Sequence, residues 1–331
     1  MKKRFFLLCS VILLLGMTGC QKNKPDSEMP ELSISMHGEI NHQEAGSHDG
    51  EWKQTLFPRI VVWGDSLSEG TGGNGVTYPD VLAQLSGCEV HNYGVYAEKT
   101  ACIAGRQGAM EEYVQPFTIP ADLTPVPVRI ENENGDYDEL LVFGDAGINP
   151  CVIGDVEGTL TMDKEDGTRY FTRSEVGEEV SLTELTLLET FAMRDKKKDD
   201  VLVIFLGTND KPGVAQMKDI IAQQREMIDY VGTDRYVVIS YTYKGWIPEI
   251  EEVNQVLADE YKEHYLDVRT YLLGDALKDE GIEPTTGDLA DIENGEIPQS
   301  LRSDESHGNE IFYRLIGEKL YEKMKELGYF G

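Results

Sequence analysis

The strongest constraint on this chain is the unbroken apolar run Val201-Leu202-Val203-Ile204-Phe205-Leu206. Six apolar residues in a row leave no polar face, so a strand of this kind has to be covered on both sides. Other segments fit the same plan. Ile60-Val61-Val62-Trp63 is a second buried run, ended by Gly64, and Cys88 to His91 and Tyr236-Val237-Val238-Ile239-Ser240 are further strands. A weaker strand is expected from Leu266 to Tyr271. Helical spacing occurs from Tyr78 to Leu85, about Val214 to Tyr230 and about Ile250 to His264. A last helix is expected from about Asn309 to Leu327, with Ile311, Leu315, Leu320 and Met324 on or near one face. Strands alternating with helices predict an α/β fold with a parallel sheet covered on both faces.

Residues 107–185 break this rhythm. They hold short β-like runs, Val126 to Ile130, Leu140 to Phe143, Thr159 to Met162 and Tyr170 to Thr172, with turn signals Asn134-Gly135 and Asp166-Gly167. The segment carries 18 acids against four bases. A loop this long is rare inside a compact domain, so a β-rich insertion is expected. It divides the α/β domain into 56–106 and 186–331.

The chain begins with Lys2, Lys3 and Arg4 before a short apolar run, Phe5 to Leu15, and then Met17-Thr18-Gly19-Cys20. This resembles a bacterial lipoprotein signal peptide, residues 1–19, with lipid attached to Cys20 after cleavage; an ordinary cleaved signal is the alternative. Residues 20–55 then form a tether, and His37, His42 and His48 within it have no metal-site spacing. The expectation is an exported protein on the outer face of a bacterial membrane, touching that membrane through its anchor only. Acids outnumber bases 60 to 30, a formal charge of −30, which excludes general nucleic-acid binding. Beyond Cys9 and Cys20 there remain Cys88, Cys102 and Cys151. One disulfide plus a free thiol, or three buried thiols, are both open.

Four short segments carry the chemistry. Gly64-Asp65-Ser66-Leu67 presents a serine where a buried strand ends, the edge at which open α/β sheets place their sites. Asn92-Tyr93-Gly94 follows the second strand, and its glycine allows a backbone N–H to approach a ligand. Gly207-Thr208-Asn209-Asp210 follows the strongest strand, and an asparagine amide is a good oxyanion donor. Asp304-Glu305-Ser306-His307 precedes the last helix; its spacing lets Asp304 accept Nδ1–H of His307 and leaves Nε2 free for a serine.

In this order the four segments resemble the SGNH (GDSL) hydrolase family from about Arg59 to Leu327, apart from the insertion. The resemblance implies a flavodoxin-like three-layer α/β/α sandwich without metal or organic cofactor. It implies Ser66 as nucleophile, Asp304 and His307 as its partners, and Ser66 N–H, Gly94 and Asn209 as the oxyanion hole. Tyr96-Ala97-Glu98-Lys99-Thr100 departs from the family's usual Gly-Glu-Thr ending and puts the pocket shape in question. Gly70-Thr71-Gly72-Gly73-Asn74-Gly75 matches G-x-G-x-x-G, but the helix is expected only near Tyr78 and no acid closes the second strand. A flexible active-site rim is therefore expected rather than a dinucleotide site. The function expected is a serine esterase that removes short acyl groups, with a small-molecule or glycan ester as substrate. A lipase or lysophospholipase activity, or a glycan-binding lipoprotein on a hydrolase scaffold, are the alternatives.

Overall fold

The computed structural model describes residues 58–132 and 139–330. The signal, Cys20, the tether and the Asn134-Gly135 turn lie outside the described residues.

Strand β1 (Ile60–Gly64) pairs with β2 (Val90–Gly94) on one side and with β3 (Val201–Phe205) on the other. Beyond β3 come β4 (Tyr236–Ile239) and the two-residue β5 (Tyr265–Leu266). All four pairings are parallel. Alternate residues of each strand go to opposite faces. Ile60, Val62, Val201, Val203, Phe205, Val237 and Ile239 enter one core with α2 (Tyr78–Ser86) and the C-terminal helix Glu310–Glu326. Val61, Trp63, Leu202, Ile204 and Val238 enter a second core with three helices. These are α3 (Thr100–Gln107), α4 (Met217–Val231) and α5 (Ile250–Tyr261), and the C-terminal helix becomes α6. The two-faced burial expected from the apolar runs is what the sheet has.

Several boundaries differ from the sequence reading. The second strand starts at Val90 rather than Cys88. Of the weak last strand expected from Leu266 to Tyr271 only Leu266 pairs, together with Tyr265 before it; Val268–Leu273 is a helix, because Asp267 accepts the Thr270 N–H and caps it.

The β-rich expectation for the middle of the chain takes the form of a seven-stranded antiparallel sheet. Its longest ladder joins Val156–Met162 to Arg169–Arg173 across the Asp166-Gly167 turn. Val126 to Ile130 is divided into Val126–Val128 and Ile130–Asn132, which pair with different strands. Leu140 to Phe143 is a turn rather than a strand; Leu140 and Leu141 are buried in this unit's own core. Thr186–Glu189, just past the expected boundary, still belongs to this sheet through Cys151–Ile153 and Glu112–Val114. Cys88, Cys102 and Cys151 are three buried free thiols.

Candidate active site

The site forms where β1, β2 and β3 end. Gly64 closes β1 against its neighbours: a Cβ there would lie 2.4 Å from the Phe205 carbonyl oxygen. Asp65 then caps the single-turn helix α1 (Ser66–Glu69), its Oδ1 accepting the Leu67 N–H at 3.0 Å. Asp65 is fully enclosed, and burial pushes its carboxyl up to about 7. The cap places Ser66 at the first residue of the turn, where its own N–H has no partner within the helix.

Ser66 and His307 are separated by 241 positions in sequence, yet Ser66 Oγ lies 3.0 Å from His307 Nε2. On the far side of the ring, Nδ1 is 2.8 Å from Asp304 Oδ2. The carboxylate selects the tautomer with the proton on Nδ1, so Nε2 accepts the Ser66 hydroxyl proton. Asp304 Oδ1 also accepts the backbone N–H of Ser306 at 2.7 Å and of His307 at 2.8 Å. Desolvation raises the Asp304 carboxyl, but these bonds and the His307 ring outweigh it and hold the group below its ordinary range. Asp304 stays ionised and the imidazole stays oriented.

The glycine loop after α1 packs against the segment that carries this pair. The next helix starts at Tyr78 behind its Thr77 cap, as expected. Gly72 has φ +86°, and a Cβ on it would lie 2.8 Å from the Gly308 carbonyl oxygen and closer still to Ser303 Oγ. The loop bearing Asp304 and His307 is thus seated directly on the glycine loop. Tyr313 of α6 adds a hydroxyl bond to the Thr71 carbonyl at 2.6 Å.

Asn209 lies in a short turn after β3 and lines the same small cleft as Ser66 and His307. Its Nδ2 donates one hydrogen to the Glu98 carbonyl at 2.9 Å, which leaves the second for a ligand. Gly94 sits elsewhere. Its N–H donates to Asn92 Oδ1 at 2.9 Å, and it is not among the cleft-lining residues. A Cβ at Gly94 would lie 2.3 Å from Glu69 N, so its lack of a side chain serves the packing of β2 against α1. The residue from this segment that does line the cleft is Ala97, held at φ +60°. Leu67, Tyr96, Thr208, Trp246 and Ser306 complete the walls, around a volume of about 110 Å³. Sequence reasoning missed Ala97 because a left-handed alanine has no composition signal.

Two ties join the segment after β2 to its neighbours. Asp210 Oδ2 accepts both the N–H of Thr100 at 2.9 Å and its hydroxyl at 2.8 Å. Burial raises the Asp210 carboxyl. Glu98 and Arg106 form a fully buried ion pair at 2.6 Å. The same guanidinium donates to the carbonyls of Tyr93 at 3.0 Å and Ala146 at 2.5 Å, so it links β2 to the antiparallel unit. Among the described residues no cluster of His, Cys, Asp or Glu could hold a metal ion.

No family model matches the chain. A tail spike protein of Salmonella phage epsilon15 is 23% identical over 263 residues, which is 69% of this chain and 23% of that protein. The chain therefore spans less than a quarter of that relative. A solved structure from Desulfitobacterium hafniense DCB-2, assigned to the G-D-S-L family of lipolytic proteins, is similar with a TM-score of 0.40 at 15% identity, over 80% of this chain and 98% of that one.

Proposed function

We propose that the chain is a serine acylhydrolase of the SGNH type, which cleaves carboxylic esters of short acyl groups on carbohydrate through an acyl-enzyme. The observation that carries this reading is the continuous line from Ser66 Oγ to His307 Nε2 and from Nδ1 to Asp304. As Oγ bonds to the ester carbonyl carbon, its proton passes to Nε2. The imidazolium then gives that proton to the leaving alcohol, and water repeats the sequence on the acyl-enzyme. The Ser66 N–H and the free hydrogen of Asn209 Nδ2 meet the oxyanion. Ala97 takes the place expected for Gly94 as the backbone donor, since Gly94 gives its N–H to Asn92. A cleft of about 110 Å³ favours an acetyl-sized acyl group.

The strand order β5-β4-β3-β1-β2 with helices on both faces supports a flavodoxin-like sandwich. The proposal also includes cleavage before Cys20, lipid attachment there and a site of action at the cell surface. The test of the chemistry is turnover of p-nitrophenyl acetate by the parent and by Ser66→Ala, together with labelling by a fluorophosphonate. Loss of both in a folded variant supports the assignment; comparable kcat values overturn it.

A further inference from the structure

Two large aromatic side chains open to solvent meet beside the cleft: Tyr96, which lines it, and Phe143, which packs on Tyr96. Tyr96 is 48% exposed and Phe143 is 41% exposed. Their rings meet edge to face, with centroids 6.5 Å apart and planes at 69°. Tyr96 also lies against the His307 ring, 6.1 Å away and tilted by 32°. One aromatic corner thus reaches from the catalytic imidazole to the antiparallel unit, which supplies Phe143.

The exposure of Phe143 is built, not slack. Leu140 and Leu141 just before it are buried. Gly144 just after it packs on Val95, where a Cβ would lie 2.9 Å from Val95 Cγ1. Ala146 is then held by Arg106 of the buried ion pair. Leu141 at φ +70° and Ala97 at φ +60° both hold a left-handed backbone, one beside each aromatic. Strained positions of this kind recur at ligand clamps. Trp246, which lines the cleft with Tyr96, differs: Lys211 Nζ lies 4.1 Å from its ring centre and occupies a face.

We infer that Tyr96 and Phe143 form a subsite that stacks a neutral sugar ring, the alcohol side of an acylated glycan whose acyl group enters the cleft at Ser66. The inference rests on the acyl-hydrolase reading for what is cut, while the stacking can be measured without any cutting. A sugar's C–H face carries the slight positive charge that an aromatic face attracts. The cleft beside Ser66 is small, about 110 Å³, and Asn209 and Ser306 make its wall polar. The excess of 60 acids over 30 bases disfavours an anionic glycan.

The test uses the full chain carrying Ser66→Ala, so that ligand survives, titrated calorimetrically with a neutral acetylated xylo-oligosaccharide. Adding Phe143→Ala or Tyr96→Ala should weaken binding about tenfold, equivalent to about 1.4 kcal/mol, and Phe143→Trp should retain it. In the Ser66 chain, Phe143→Ala should lower kcat/KM for acetylated xylan about tenfold more than for p-nitrophenyl acetate. Binding of the oligosaccharide without hydrolysis of either ester would retain the subsite and remove the hydrolase reading. No binding by the Ser66→Ala chain, an affinity indifferent to both alanine variants, or a selective loss on p-nitrophenyl octanoate instead of the glycan would each overturn the subsite.

Discussion

Asp65 offers a perturbation whose size follows from the structure. Its carboxyl is fully buried one residue before the nucleophile, and burial raises it from 3.8 to about 7. Below about pH 4 the group is neutral both folded and unfolded, and its titration costs nothing. Between about pH 4 and 7 the folded chain keeps the proton that the unfolded chain releases, so stability falls as pH rises. Above about pH 7 both states are ionised and the full cost is present. A shift of about 3 units corresponds to about 4 kcal/mol. Asp65→Asn preserves an oxygen to accept the Leu67 N–H and cannot ionise. Urea unfolding of parent and variant from pH 4 to 8.5 isolates the effect, because carboxylates that do not interact with Asp65 cancel in the difference; the Asp210 charge, which also raises Asp65, is part of what is measured. The variant should gain on the parent by up to about 4 kcal/mol across that range, mostly between pH 4 and 7. A difference that stays flat with pH would refute the argument, whatever its absolute value.

Asn209→Ala removes an oxyanion donor and should lower kcat by about 10²–10³ with little change in KM; a change confined to KM would assign Asn209 to substrate binding. Asp304→Asn leaves the shape of the turn but not its charge, and should lower kcat by about 10³–10⁴ in steady-state assays. Arg106→Met strands the Glu98 carboxylate in a dry interior and should cost about 3–5 kcal/mol in chemical denaturation. Gly72→Ala meets both a positive φ and the Gly308 carbonyl, so it should reduce kcat by displacing His307, a shift visible in the His307 ring resonances.

The parallel sheet was legible because a strand buried on both faces needs the continuous apolar runs at Ile60–Trp63 and Val201–Leu206. The Ser66, Asn209 and Asp304–His307 segments were legible because each follows a strand end or precedes a helix with a recognisable cap. Less could be read where tertiary contacts decide the outcome. Leu140 to Phe143 has strand-like composition, but Leu141 turns the chain and Phe143 faces solvent. Gly94 suggests backbone approach to a ligand, whereas the atoms it admits belong to α1. The cleft wall formed by Ala97 depends on a dihedral angle that alanine rarely adopts.

The bond between Ser66 and His307 closes a span of 241 residues, and α6, which follows His307, brings the Tyr313 hydroxyl onto the Thr71 carbonyl. Synthesis therefore delivers Ser66 long before His307. A nascent chain that ends before Asp304 already contains Ser66, Ala97, Asn209 and the residues of the antiparallel sheet, yet lacks the ring whose Nε2 lies 3.0 Å from the serine hydroxyl. A chain clipped before Asp304 would be in the same condition. The same stretch of chain carries α6, whose Phe312, Tyr313, Leu315, Ile316, Leu320 and Met324 are buried against one face of the parallel sheet, so the His307 ring and the packing of that face arrive together.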